Sequence, residues 1–572
     1  MEEMTTMDSE EQIKLVDNRN KPISKSPQPQ RSWKPVKILV FSVVGLMSSV
    51  LFLALIFKKL HSDHLWNGLD FRPFEEDVEA NYTWPADKQQ EKLLGGLLSE
   101  GLDEKSCVSR YQFARYRKGP VRRPSPHLIS RLRSYEALHK RCGPYTESFN
   151  RSLEYFKSGR YNSSAGPADC KYIVWLTRAG LGNRMITLAS SFLYALLTNR
   201  ILLVDPEAHF SDLFCEPFPE TSWLVPSDFP IIDEFGSFNR KSRRTFGNLL
   251  KKNAFGSSKA ALVPSYVYLH LVSDYTDDDK RFFCDQDHTV LQKVPWLLVR
   301  SDLYFAPSLF LMPSFQQELA DLFPEKETVF HFLGRYLFHP ANAVWRAIVR
   351  YYNDYLANAD ETIAIQVRVL DTGDAPFKQV MKQILGCVIK ENILPRVNET
   401  LKGLPMNITS GISKTKAVLM TSLTPDYFEA VRDMYQEHPT VTGEVVKVYQ
   451  PSHEEYQHSK NQMHNMKAWA EIYLLSLSDK LVTTAKSTFG YVAQSLGDLK
   501  PWILYKPEDY KPNSDPVCQR GVSMEPCFQA PPNNDCKSKR MIDIGKMVPY
   551  IRHCEDMNWN WGLKLFGEDG ES

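Results

Sequence analysis

The chain has 572 residues, 43% of them hydrophobic and 12% aromatic, enough to bury a large core and to fill two or three domains. Such apolar content excludes an intrinsically disordered protein. Its 69 basic and 68 acidic residues leave a net charge of +1, so no basic excess exists to neutralise a phosphate polymer, which excludes a general nucleic-acid binder.

Residues 1–37 are polar and rich in Ser, Pro and Gln, and are expected to be a disordered tail. Residues 38–57 (ILVFSVVGLMSSVLFLALIF) carry no charge and predict one membrane-spanning signal anchor. Five bases before it (Lys21, Lys25, Arg31, Lys34 and Lys37) outnumber Lys58 and Lys59 behind it, which places the tail in the cytoplasm and the body in a lumen or outside the cell. Sequons at Asn81, Asn150, Asn162, Asn398 and Asn407 all follow the anchor and are expected on exposed loops. All ten cysteines follow it too, and read mostly as disulfides whose pairing one sequence does not fix.

A polar stem over 58–87 leads to a folded body in two halves, 88–358 and 359–515, closed by a Cys-rich segment, 516–572. In the first half a strand at 172–176 (YIVWL), a turn at 177–184 (TRAGLGNR), a helix from Met185 and a strand at 201–205 (ILLVD) form a crossover. Gly180 and Gly182 permit positive φ and close backbone approach. The amides at the helix start, with Asn183 and Arg184, can then face an anion. A tight turn without a ligand is the alternative. Further strands are expected at 266–272, 296–302 and 309–311. Asp302 closes the middle one, where α/β folds place working groups, and a turn-capping aspartate is an equal reading.

The second half alternates more regularly. The strand at 362–369 (TIAIQVRV) carries one charge, Arg368, which needs a carboxylate or a cavity to offset its burial. Strands at 417–422, 445–449, 480–485 and 501–505 and helices at 426–437, 463–477 and 487–496 complete a doubly wound parallel sheet. Ser487 and Thr488 are N-cap residues for a helix start able to hold a diphosphate, with Phe489 or Tyr491 available to stack on a base. The fold class is therefore α/β, with two Rossmann-like halves facing a ligand cleft. Asp277, Asp278 and Asp279 read as a solvated loop, and no metal requirement is expected.

Separate blocks in one order carry a resemblance: GLGNRM (180–185), DLFCEPFP (212–219), HFLGRYLFHP (331–340), IQVRV (365–369), STFGYVAQ (487–494), LKPWILY (499–505), and SMEPCF with RHCED (523–528, 552–556). From about residue 88 to 566 the chain resembles the plant cell-wall fucosyltransferases typified by the xyloglucan enzymes. The resemblance implies a GT-B fold, GDP-fucose as donor and inverting transfer to a galactose hydroxyl in an alpha-1,2 linkage. It further implies that Arg368 contacts the diphosphate, that Ser487, Thr488, Phe489, Gly490 and Tyr491 form part of the nucleotide site, and that Asp302 assists the acceptor hydroxyl. No cofactor and no metal are implied, and the setting is a Golgi membrane with the catalytic part in the lumen. The implied partners are GDP-fucose, a cell-wall polysaccharide or glycoprotein acceptor, and a second copy or another Golgi glycosyltransferase. Leu370, the loop 371–375 and SHEEYQ (452–457) depart from the family form. The acceptor therefore stays open between xyloglucan and arabinogalactan proteins, with a non-catalytic lumenal glycan-binding scaffold as the competing class.

Overall fold

A computed structural model describes residues 68–71 and most of 92–567, leaving out 118–121, 163–167, 256–261, 370–373, 402–413, 507–516, 534, 537, 539 and 558–560. The expected tail, anchor and most of the stem lie outside the described residues, as do Asn81 and Asn407. Among the described residues no helix is long and apolar enough to cross a membrane.

Two mainly parallel sheets organise the body. Helix α1 (Pro126–Cys142) opens with Ser125 accepting from the Leu128 amide and with Pro126 in its first turn. Strand β1 (Lys171–Trp175), helix α2 (Leu181–Thr198), β2 (Arg200–Val204), β3 (Tyr266–Leu271) and β4 (Trp296–Ser301) follow. They form a four-stranded parallel sheet in the order β2-β1-β4-β3, with Val174 beside Leu203 and Leu298. Every residue of β2 and β4 is buried, as a sheet covered on both faces requires. The chain then forms α3 (Val329–Leu337) and α4 (Asn342–Tyr351). The second sheet takes β5 (Glu361–Val367), α5 (Asp374–Lys390), β6 (Thr415–Ser422), α6 (Asp426–Glu437) and β7 (Val445–Tyr449). After these come α7 (Gln462–Leu475), β8 (Lys480–Thr484), α8 (Thr488–Gly497), β9 (Trp502–Leu504) and β10 (Cys518–Arg520). Its order is β10-β9-β8-β5-β6-β7, parallel except for β10.

Three local expectations change. Residues 309–311 are not a strand: Leu309 ends a helical turn, Ala306–Leu309, with Pro307 at its start, where the fixed φ of proline suits a helix. Asn150 lies exposed on a helix, Glu147–Ser158, and Asn162 exposed at the end of a short strand, Arg160–Asn162, rather than on loops. The Asp triple is a short helix, Asp277–Lys280, in which Asp279 is buried and shares a capping box with Thr276.

One hydrophobic core runs through both lobes. Phe192 of α2, Tyr336 of α3, Trp345 of α4, Trp469 and Tyr473 of α7 and Leu496 of α8 belong to the same buried cluster. The Phe214 and Trp469 rings lie 5.1 Å apart and Trp345 and Tyr473 lie 5.6 Å apart, both edge to face. Helix α3, from the HFLGRYLFHP block, closes the C-terminal end of α8. Arg335 donates to the Leu496 carbonyl through Nε (3.0 Å) and Nη2 (2.6 Å), and the His331 ring lies 2.8 Å from the Ser495 carbonyl.

All ten cysteines pair: Cys107–Cys215, Cys142–Cys170, Cys284–Cys536, Cys387–Cys518 and Cys527–Cys554. The Cys-rich segment thereby spans both lobes, since Cys536 bonds the first and Cys518 the second. Within it, Glu525 is fully buried, accepting from Tyr304 Oη at 2.6 Å and from the Phe330 amide at 2.7 Å.

Candidate active site

A cleft of about 930 Å³ lies where strand order reverses in the second sheet, beyond the C-terminal ends of β5 and β8. The start of α2, from the equivalent edge of the first sheet, forms its opposite wall. Gly180 is the N-cap of α2 and Ser487 the N-cap of α8. The two helix starts meet here: a Cβ on Gly182 would stand 2.7 Å from Thr488 Oγ1 and 2.9 Å from the Phe489 amide nitrogen. Asn183 joins them, its Oδ1 accepting from Thr488 Oγ1 (3.0 Å) and its Nδ2 donating to the Asp302 carbonyl (2.9 Å). Two positive helix ends without an acidic side chain in either first turn make an anion-seeking surface.

The backbone repeats one device on the two sides. The residue before each N-cap adopts a left-handed conformation without being glycine: Ala179 at φ 61° and Lys486 at φ 62°. Gly180 itself has φ −75°, so the expected positive φ at this loop belongs to Ala179, and both loop glycines serve close approach instead. Lys486 is held by Asp556, whose Oδ2 accepts its amide at 2.8 Å and also accepts from Tyr491 Oη. The RHCED block thus shapes the cleft from outside it.

Arg368 follows the last residue of β5 instead of lying inside the strand. Its amide donates to Thr484 Oγ1 (2.9 Å), a neighbouring strand's side chain, which ends the ladder at that point. The side chain is half-buried in the cleft and donates to Gln457 Oε1. Burial lowers its pKa, and no carboxylate pairs with it among the described residues, so of the two expected alternatives it is the cavity that Arg368 faces. A desolvated guanidinium facing a cavity is a ready-made anion partner.

Gly180, Gly182, Asn183, Arg368, Ser487, Thr488 and Phe489 therefore share one cleft. Other expected site residues do not line it. Arg184 is buried and donates to the carbonyls of Ala179 (2.9 Å) and Ser459 (3.1 Å), so its charge fixes loops. Gly490 faces away, since a Cβ there would stand 2.1 Å from Thr483 Oγ1. Tyr491 is 3% exposed and packs on the Cys527–Cys554 disulfide, which leaves stacking to Phe489. Asp302 stands at the end of β4 as expected, with Oδ1 accepting from the Ser273 amide (2.8 Å), Oδ2 from Ser273 Oγ (3.0 Å), and Arg178 Nε 3.9 Å away. Its carbonyl, through Asn183, ties it to the cleft wall.

Sequence reasoning missed Thr421, His464 and Glu471, which also line the cleft, and singled out 452–457 only as a departing loop, although its Ser452, Glu454 and Gln457 line the same cleft. One signal was present. Glu471 is the sole charge in 468–478, an otherwise apolar helical stretch.

The xyloglucan fucosyltransferase family model matches residues 72–537. The chain belongs to the xyloglucan fucosyltransferase family. A galactoside 2-alpha-L-fucosyltransferase of Pisum sativum is 60% identical over 475 residues, covering 83% of this chain and 82% of the relative. Another of that description, from Arabidopsis thaliana, is 51% identical over 530 residues, 92% of this chain and 91% of the relative. Among solved structures, an arginine-to-lysine variant of Arabidopsis thaliana FUT1 in complex with GDP is 54% identical. It superposes with a TM-score of 0.75 over 83% of this chain and 100% of that one. The motif blocks and their order thus identify the xyloglucan fucosyltransferase family correctly.

Proposed function

We propose that this protein is an inverting fucosyltransferase of GT-B architecture that moves L-fucose from GDP-fucose to a galactose hydroxyl of a cell-wall glycan. Xyloglucan is the acceptor and the linkage is alpha-1,2. The observation that carries this reading is Arg368, a cation without a carboxylate partner among the described residues, in a cleft where two helix starts converge. The similarity to a FUT1 variant in complex with GDP supports the same donor.

In this mechanism the acceptor hydroxyl oxygen attacks fucosyl C1 from the face opposite the diphosphate. The C1–O bond breaks as the new one forms, and the electron pair leaves with GDP. Arg368, Ser487 and the amides of Thr488 and Phe489 stabilise the departing diphosphate, a contribution made where charge develops. The acceptor proton passes through a water to Asp302, which stands behind Asn183 and not on the cleft lining. No metal has a role in this step. The acids lining the cleft are Glu454 and Glu471, and Glu454 is already tied to Lys467 (2.5 Å) and His464 (3.1 Å).

The anchor over 38–57, the sequons and the five disulfides support a single-pass Golgi protein with its body in the oxidising lumen. The test incubates purified protein with GDP-fucose and either xyloglucan oligosaccharides or arabinogalactan acceptors, and reads the linkage by NMR. Alpha-1,2-fucosylated xyloglucan is expected. Product on arabinogalactan alone moves the acceptor, and GDP-fucose turnover with neither acceptor overturns the transferase reading.

A further inference from the structure

Asp302 is aimed by a turn, and the turn is held from behind. Strands β3 and β4 run parallel with Leu271 beside Ser301, so the chain leaving β3 meets Asp302 just beyond β4. Residues 272–275 form a turn there, closed by the Tyr275 amide donating to the Val272 carbonyl at 2.8 Å, with Val272 and Tyr275 buried. Its two central residues face different partners. Ser273 serves both oxygens of Asp302, through its amide (2.8 Å) and its Oγ (3.0 Å). Asp274 turns to the strand behind it, with Oδ1 2.8 Å from His270 Nε2.

His270 is 2% exposed and shares a face of β3 with the fully buried Tyr268, whose Oη lies 2.7 Å from His270 Nδ1. A carboxylate only accepts hydrogen bonds, so Nε2 carries the hydrogen given to Asp274, and the neutral ring takes the tyrosine hydrogen at Nδ1. Burying an imidazole and a phenol is costly unless each is satisfied, and this chain of bonds satisfies both and ends at the turn. Three further charges face this corner. Arg300, in register with His270 on β4, donates to the Phe235 and Phe238 carbonyls. Arg178 stands 3.9 Å from Asp302 and Arg240 3.7 Å from Asp274 Oδ2, both half-exposed, where ion pairs add little.

We infer that Asp274, held by His270, is a positioning residue for transfer: it fixes the rotation of the turn that presents Ser273 to Asp302, and so the place of the carboxylate that receives the acceptor proton. This rests on the reading of Asp302 given above. Because Ser273 and Asp274 are neighbours in one turn, releasing Asp274 from His270 lets the turn rotate and Ser273 part from Asp302. The nucleotide cleft is untouched, since neither His270 nor Asp274 lines it. The loss therefore falls on turnover and spares donor binding.

Initial rates with GDP-fucose and xyloglucan oligosaccharides, beside GDP affinity by calorimetry, test this on wild type, Asp274→Ala, Asp274→Asn, Asp302→Asn and the double variant Asp274→Ala/Asp302→Asn. The Asp274 side chain is 49% exposed, so its replacement leaves the core intact. Asp274→Ala should lower kcat about threefold to tenfold, with GDP affinity and the donor KM within about twofold of wild type. Asp274→Asn keeps an oxygen for His270 Nε2 and should restore kcat to within about twofold of wild type. If Asp274 acts through Asp302, the double variant is no more than about twofold slower than Asp302→Asn alone. Losses that multiply in the double variant overturn the inference, as does a full-rate Asp274→Ala beside a slow Asp302→Asn. An Asp274→Asn as slow as the alanine variant overturns it too, by assigning the effect to charge. Full turnover by Asp302→Asn would instead overturn the base assignment, and absence of transfer by wild type the transferase reading beneath it.

Discussion

Gly182 of α2 lies directly against Thr488 of α8, leaving no room for a methyl group between the two lobes. A Cβ at Gly182 would meet Thr488 Oγ1 at 2.7 Å, its carbonyl carbon at 2.8 Å and the Phe489 nitrogen at 2.9 Å. Two of those atoms are backbone and cannot turn aside. Gly182→Ala is therefore expected to destabilise the protein by about 1–3 kcal/mol and to depress transfer by spreading the helix starts. Melting temperature and initial rate check this, and an unchanged melting point would mean that α2 slides freely over α8.

Arg368→Lys keeps the charge and loses the planar fork. GDP affinity is expected to fall by about 2 kcal/mol, with melting temperature nearly unchanged because the lost partner within the chain is the exposed Gln457. Calorimetry with GDP decides, and wild-type affinity in the variant removes Arg368 from the diphosphate site.

Asp302→Asn retains an oxygen for the Ser273 amide and removes the charge. Turnover is expected to drop at least about tenfold while GDP affinity stays within about twofold. If turnover hardly changes, proton removal belongs to solvent or another group; if GDP affinity falls too, Asp302 acts through Asn183 on the donor wall.

Burial pushes the Glu525 carboxyl up to about 8 from an ordinary value of 4.5. Between those values the folded chain holds a proton that the unfolded chain has released. Stability is therefore fullest below about pH 4.5 as far as this group is concerned, and declines as pH rises toward 8, by up to about 1.4 kcal/mol per pH unit. Glu471, raised likewise, adds a slope of the same sign. Glu525→Gln should flatten the fall in melting temperature between about pH 5 and pH 8 without abolishing it. An unaltered slope would show that Glu525 is not the titrating group.

Activity is expected to survive EDTA, with added Mn²⁺ or Mg²⁺ changing the rate by no more than about twofold. Among the described residues, the only cluster of metal-type ligands is Cys527, Cys554 and Asp556, and its cysteines are joined in a disulfide. Complete loss on chelation, restored by either cation, would contradict the mechanism.

The parallel strands were legible because burial on both faces makes them continuous apolar runs, as at β1, β2 and β4. Helix α3 was not, since all of its residues are buried and its polar pair one turn apart, His331 and Arg335, turns inward onto the Ser495 and Leu496 carbonyls instead of marking a solvent face. At the site, Arg368 and the Ser487 cap declared themselves as a charge and a cap at strand ends. Tyr491 misled for a geometric reason: two positions after Phe489 on a helix, it points to the opposite side. Glu471, Ser452 and Gln457 come together only because β7 lies beside β6 and α7 folds back over them, an adjacency no local pattern contains.

The shared core has a consequence for how this protein can be altered. Phe214 against Trp469 and Trp345 against Tyr473 are contacts between lobes, yet they are packed like lobe interior. The Cys-rich segment, bonded to the first lobe through Cys284–Cys536 and to the second through Cys387–Cys518, ties the two together again. Chimeras that exchange whole halves between relatives would cut through this packing and leave mismatched aromatic surfaces, so few should fold. The loop 452–457, which lines the cleft and reaches Arg368 through Gln457, carries little of that core. Grafting that loop alone is the exchange the fold tolerates, and because Ser452, Glu454 and Gln457 stand against Glu471, His464 and Arg368, its first effect falls on the nucleotide cleft.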